Sequence, residues 1–280
     1  MRPPLALALV LACAALPARA VEDAPAAADL RELVDRAFHN LFGFRYVQRL
    51  RLELEGRGGR RMTRIVQLSR DSEPVGEART LVRVLEPPDV RGTSVLILAH
   101  SERDDDMFVF LPSYEKVRRV SAAQYGDAFL GTNLTYEDLR PRRIEEWSVA
   151  LVGREERDGR RLQVVRLEPR QGARTSYRAQ VLWLEVDPPL IHRIRFEREG
   201  RADKELSFDV ADLLVLGDHV VPRRFEMADL GRTELRTRVV VEEIQRQERF
   251  GQGFFTVGNL VYGSERTDWS ASGTERSTPE

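Results

Sequence analysis

Apolar and charged residues alternate with a period of two through most of this chain, and that commits it to β-structure. Leu50, Leu52 and Leu54 alternate with Arg49, Arg51, Glu53 and Glu55. Ile194 and Phe196 alternate with Arg193, Arg195 and Glu197, and Leu206, Phe208 and Val210 with Glu205, Ser207 and Asp209. Thr233 to Glu243 follows the same rule. Successive side chains of a strand point to opposite faces, so each segment has one face for a core and one for water. The interruptions are turn formers: Gly56 to Gly59, Asp158-Gly159, Asp187-Pro188-Pro189 and Glu199-Gly200-Arg201. The pattern predicts roughly eleven to thirteen consecutive strands with no regular βα alternation, hence a mainly β, strongly curved antiparallel sheet. Such a sheet either curls into an unclosed barrel around its apolar face or splits into a sandwich.

The period is different in one place. Asp29 stands where a helix N-cap belongs, and Leu30, Leu33, Val34, Ala37, Phe38 and Leu41 form one apolar stripe ending at Gly43. Strand alternation stops between Ser121 and Arg143. At the N-terminus, Arg2, the apolar run Leu5 to Leu16 and Pro17-Ala18-Arg19-Ala20 read as a secretory signal peptide cut after Ala20. Val10-Leu11-Ala12-Cys13 also loosely resembles a lipobox, which would place a lipid on Cys13. The expected organisation is a signal peptide over 1–20, a flexible leader over 21–28, one domain over 29–262 and a disordered Ser/Thr/Gly/Glu-rich tail over 263–280. After the signal peptide no stretch approaches the ~18 apolar residues needed to span a membrane.

Composition removes several functions. Lys plus Arg number 44 against 45 Asp plus Glu, a balance that argues against nucleic acid as a partner. Cys13 is the only cysteine, which excludes a disulfide framework and any thiolate metal site with two or more cysteines. His39, His100, His192 and His219 show no metal-ligand spacing, and Asp104-Asp105-Asp106 lacks the spacing of a calcium loop. There is no nucleophile elbow and no phosphate loop, and Gly251-Gln252-Gly253 reads as strand-end flexibility. No cofactor, no metal and no enzymatic activity are expected. Of the lysines there are only Lys116 and Lys204, a bias attributed to genome composition. The apolar strand faces are then either a filled core or the wall of a ligand cavity, and Trp183, Phe196 and Phe208 suit both.

A set of ordered blocks carries a resemblance. These are Asp89-Val90-Arg91-Gly92-Thr93; Phe110-Leu111-Pro112 followed by Lys116 to Val120; Gly126-Asp127-Ala128-Phe129-Leu130-Gly131; and Tyr136-Glu137-Asp138-Leu139. Together with the helix and the hairpins they resemble the outer-membrane lipoprotein-sorting (LolA-like) family of periplasmic carriers over most of residues 21–262. Asn133 and Leu134 stand where the family often has Asp and an aromatic residue, and the chain is longer than the best-known carriers.

The resemblance implies an unclosed antiparallel β-barrel with a helical lid over an apolar cavity that holds acyl chains. The lining it points to is Leu50, Leu52, Leu54, Val82, Trp183, Ile194, Phe196, Leu206, Phe208 and Val210, with Leu33, Ala37 and Phe38 on the lid helix. Ser121–Arg143 becomes a rim segment held by Gly131 and Tyr136, with Asp138 capping a short helix. The implied protein is a monomeric periplasmic carrier for a lipoprotein or lipid. Its implied partners are an inner-membrane transporter, RND-type in this branch, and an outer-membrane acceptor. The alternative is an accessory binding module of such a transporter with a filled core.

Overall fold

The computed structural model describes residues 27–72, 77–232 and 235–263. The proposed signal peptide, Cys13, most of the leader and the tail beyond Gly263 lie outside the described residues, as does the start of the Thr233–Glu243 alternation.

Helix α1 (Ala27–Phe42) begins two residues before the expected cap, so Asp29 sits in its first turn, where its charge suits the helix dipole. The strands follow: β1 (Tyr46–Glu55), β2 (Arg61–Asp71), β3 (Arg79–Glu86), β4 (Ser94–Leu98), β5 (Asp106–Leu111), β6 (Lys116–Arg119), β7 (Trp147–Arg157), β8 (Arg160–Pro169), β9 (Ala179–Glu185), β10 (Leu190–Arg198), β11 (Arg201–Phe208), β12 (Leu213–Leu216), β13 (His219–Pro222), β14 (Arg224–Asp229) and β15 (Arg236–Arg246). A short helix, α2 (Val257–Tyr262), follows them.

Thirteen strands form one antiparallel sheet in the order β6-β5-β4-β3-β2-β1-β15-β14-β11-β10-β9-β8-β7. The edges β6 and β7 do not pair with each other, so the sheet is curved but unclosed. Its midline is the β1–β15 pair, which joins the first of these strands to the last. β1 to β6 run out from it as consecutive hairpins on one side, and β14, β11 and the β10–β7 meander on the other. Register slips at Arg49/Leu50, Ile65/Val66, Leu151/Gly153, Ile191/Arg193 and Phe196/Glu197 supply the bending a flat ladder lacks. The sheet's thirteen strands match the expected count, and the separate hairpin β12–β13 brings the total to fifteen because strands of four residues are too short to show alternation.

The predicted two-faced strands are present. β1 alternates buried and half-buried residues along its whole length, with Leu50, Leu52 and Leu54 inward. On the outer face Arg49 and Arg51 both pair with Glu242, Arg195 with Glu205 and Arg238 with Glu226. The near-zero net charge is therefore laid out as cross-strand ion pairs, each worth at most about 1 kcal/mol at such exposure.

Inside, two apolar clusters meet. One is centred on β1–β4 and β15; the other joins α1 to β8–β11. Leu134 and Phe225 pack against both. The hairpin β12–β13 leaves the main sheet and docks on α1, where the Val220 N–H donates to Asn40 Oδ1 at 2.7 Å. The 251–258 stretch is a further departure from expectation. It turns at Gly253 (φ +80°), and α2 is capped by Thr256, whose Oγ1 accepts from the Asn259 N–H at 3.2 Å. Phe255 and Leu260 bury Leu81 and Leu96 from the outside, which is why β4 is covered on both faces.

Candidate functional site

A cavity of about 100 Å³ lies on the inner face of the sheet where the two clusters meet. Its floor is Leu50 and Leu52 of β1, Val82 of β3, Ile194 and Phe196 of β10, Leu206 and Phe208 of β11, and Phe225 and Val239. Phe38 of α1 enters from the helix, and Phe129, Leu134 and Leu139 close it from the irregular segment. Seven of the ten sequence-selected lining residues thus come together at one place. Leu54 is buried in the same core but farther along β1, and Val210 packs in the second cluster without lining the cavity.

Trp183 lies elsewhere. In β9 the inward phase belongs to Leu182 and Leu184, so Trp183 points out, 3.7 Å beneath the Arg193 guanidinium, and its indole N–H donates to Glu155 at 2.6 Å. The parity with Glu185, two residues on, already carried that information. The helical cover is also narrower than expected. Leu33 and Ala37 pack into the second cluster, and of the three lid residues only Phe38 reaches the cavity.

Most of the cover comes from residues 121–143, a strap of short turns. Leu130 (φ 50°) and Gly131 (φ 73°) are consecutive left-handed residues, as a type I′ turn requires, and the Thr132 N–H returns to the Phe129 carbonyl at 2.9 Å. An added Cβ at Gly131 meets nothing, so the glycine serves conformation alone. Tyr136 stacks edge-on against Phe129 at 6.1 Å. Asn133 fastens the tip to β15: its backbone N–H donates to Thr237 Oγ1 at 3.0 Å and its amide to the Leu235 carbonyl at 2.7 Å.

Asp138 does cap the short 3-10 turn Tyr136–Leu139, accepting from the Thr135 N–H at 2.7 Å and its hydroxyl at 2.9 Å. It does more than cap. Tyr177 donates to Oδ1 at 2.9 Å, and the Lys204 ammonium contacts Oδ2 at 2.5 Å, both ionised side chains being nearly inaccessible. Lys204 lies in the same inward phase of β11 as Leu206 and Phe208 and packs beside the Tyr177 and Phe196 rings. Burial pushes the Asp138 carboxyl up, and the adjoining ammonium outweighs it, holding the group below the usual carboxylate range. A second buried carboxylate, Asp105, receives Arg140 at 2.6 Å and also Arg143, and these two overcome its desolvation in the same way. Glu137 completes the set, accepting from the Ser176 N–H at 2.9 Å, its hydroxyl, and Thr175.

The sign of the pH dependence follows. Carboxylates depressed in the folded state contribute stability above their unfolded pKa and lose it as pH falls through the folded value. Urea midpoints should therefore hold from neutrality to about pH 5 and fall steeply below about pH 4. D105N should flatten that acid limb, and a profile level down to pH 3 would contradict the assignment.

A larger cleft, about 1070 Å³, lies between the first half of α1 and the far ends of β7–β9. Arg36, Arg154, Arg160, Arg161, Glu32 and Glu156 line it, so despite its size it does not suit an apolar ligand. Among the described residues no cluster of three or more His, Cys, Asp or Glu is placed to hold a metal, and no helix is long and apolar enough to cross a membrane.

A family model described as "Uncharacterized protein" matches residues 76–261. The chain belongs to that family. It shares its fold with a putative outer-membrane lipoprotein-sorting protein domain from Vibrio parahaemolyticus (TM-score 0.77, 21% identity, 84% of this chain and 100% of that one). A DUF1329 family protein from Desulfovibrio piger is similar to a comparable degree (TM-score 0.75, 22% identity, 84% and 98%). A LolA superfamily protein from Nitrosomonas europaea follows (TM-score 0.66, 17% identity, 81% and 97%). The chain is LolA-like in fold, as its ordered sequence blocks imply. No match was found among curated protein sequences.

Proposed function

We propose that the protein is a periplasmic carrier that takes up the acyl chains of a lipoprotein or lipid and delivers the cargo toward the outer membrane, without catalysis. One observation supports this most: an apolar hollow under a strap held by hydrogen bonds and ion pairs, on a sheet whose two edge strands do not pair with each other. An acyl chain crossing water forfeits about 0.8 kcal/mol per CH₂, on the order of 13 kcal/mol for sixteen carbons, and a carrier must offer an equivalent lining. The present hollow, about 100 Å³, is smaller than the ~150 Å³ that accommodates a benzene. The carrier reading therefore requires the strap to lift and the two apolar clusters to part around the chain. An inner-membrane transporter of the RND type and an outer-membrane acceptor would load and unload it.

The smallness of the hollow also favours a second reading, an accessory module of such a transporter with a filled core. Native mass spectrometry of gently purified protein, with titration of a fluorescent fatty acid, separates the two. Co-purified lipid and saturable uptake are expected. Absence of both, with transporter docking lost on charge reversal of Arg193 and Arg195, would establish the module instead.

A further inference from the structure

We propose that Arg142 is a headgroup site and that the cavity's ligand is an amphiphile with an anionic head, a carboxylate or phosphate, on its acyl chain; this rests on the carrier reading above. Three arginines occupy positions 140, 142 and 143. Arg140 and Arg143 both turn to Asp105, and Arg140 also donates to the Arg174 carbonyl at 2.9 Å. Arg142 turns the other way, into the cavity wall. Its guanidinium carbon lies 5.9 Å from the Phe38 ring centre and 5.6 Å from that of Phe196, between the lid helix and the sheet floor. Among the described residues it makes no hydrogen bond and no ion pair.

Other arginines also lack a partner among the described residues, Arg64 half-buried on β2 and Arg36 and Arg154 at the surface, but none of these lines the apolar cavity as Arg142 does. The charged side chains on the cavity wall are Arg70, Asp138, Arg140 and Arg142, and the one anion among them is already neutralised by Lys204. A half-buried guanidinium against aromatic walls carries a desolvation cost that an incoming anion offsets. A planar guanidinium also suits carboxylate and phosphate, which it can bind through two parallel hydrogen bonds while its face rests on a ring.

A second polar group points to the same kind of ligand. Gln48 occupies the inward phase of β1, is 7% exposed, and lines this cavity with no hydrogen-bond partner for its amide among the described residues. A hydrocarbon alone leaves that amide unsatisfied, whereas an ester or carbonyl of an amphiphile can pair with it.

The test is fluorescence titration of the full chain with cis-parinaric acid and with its methyl ester, which differ in the charge of the head. The acid is expected to bind the native protein more tightly. R142Q should weaken the acid by about tenfold more than it weakens the ester, the size of one charge-assisted hydrogen bond, and R142K should keep most of the preference. Equal losses for acid and ester in R142Q would overturn the proposal. So would displacement of the bound acid by millimolar acetate or inorganic phosphate, which would make this a site for free anions. Native protein that binds both probes without preferring the acid refutes the headgroup site alone. Native protein that binds neither refutes the carrier reading itself.

Discussion

Replacing Lys204 by methionine is expected to destabilise the protein by about 3–5 kcal/mol, the cost of leaving a buried carboxylate without its counter-ion. The volume change is small, so packing is not the cause. What remains is Asp138, almost fully inaccessible, still accepting from Thr135 and Tyr177 but with no positive charge in contact. Its carboxyl should then rise, since burial is the largest influence on it and the Thr135 hydrogen bond and the charge of Arg142 are left to oppose it. Urea denaturation followed by far-UV circular dichroism measures the loss at neutral pH. The variant should also recover part of its deficit as pH falls toward 5, because a protonated Asp138 no longer needs a partner. A comparable change on the outer face provides the scale. R238Q removes a guanidinium 2.8 Å from Glu226, but Arg238 is about half exposed, and the expected cost stays below about 1 kcal/mol. If the two variants lose the same amount, the buried pair has no special weight.

Phe196→Ala is expected to cost about 3–5 kcal/mol and at the same time to increase binding of small apolar probes. The ring is fully buried, lies 4.8 Å from that of Tyr177, and forms part of the cavity floor. Truncation removes its packing and merges the lost volume with the existing hollow. A dry apolar cavity enlarged in this way accepts a benzene-sized ligand. Thermal or urea denaturation reads the first effect, and the rise in melting temperature with added benzene reads the second. A destabilised variant with no response to benzene would mean that the neighbouring clusters collapse into the space, which favours the filled-core module over the carrier.

The strands were legible because burial on one face of a sheet imposes a period of two, and the chain obeys it at Leu50, Leu52 and Leu54 and again at Ile194 and Phe196. The family resemblance, not the periodicity, pointed to a cavity; the periodicity placed most of what became its floor on inward strand faces. It erred on Trp183, where residue type was weighed above parity: Glu185, in phase with it, marks that face as the outer one. It also passed over the polar residues that stand in an apolar phase. Gln48 follows Tyr46 and precedes Leu50 in β1, and Lys204 precedes Leu206 and Phe208 in β11. In a chain whose other basic residues are arginine apart from Lys116, a lysine in the inward phase was a signal, attributed instead to composition.

By itself, then, the sequence determined the local alternation, the turns, the N-terminal helix and the balance of charge, because each depends on neighbours a few residues away. Tertiary structure alone decided which carboxylate meets which cation: Asp138 and Lys204 are far apart along the chain, as are Asp105 and Arg143. It decided too that residues 121–143 form the cover and that Arg142, with no hydrogen bond or ion pair among the described residues, faces the cavity. Those outcomes depend on how far the sheet curls and where the strap crosses it. Curvature is the sum of small twists and register slips over thirteen strands, and no local pattern records that sum.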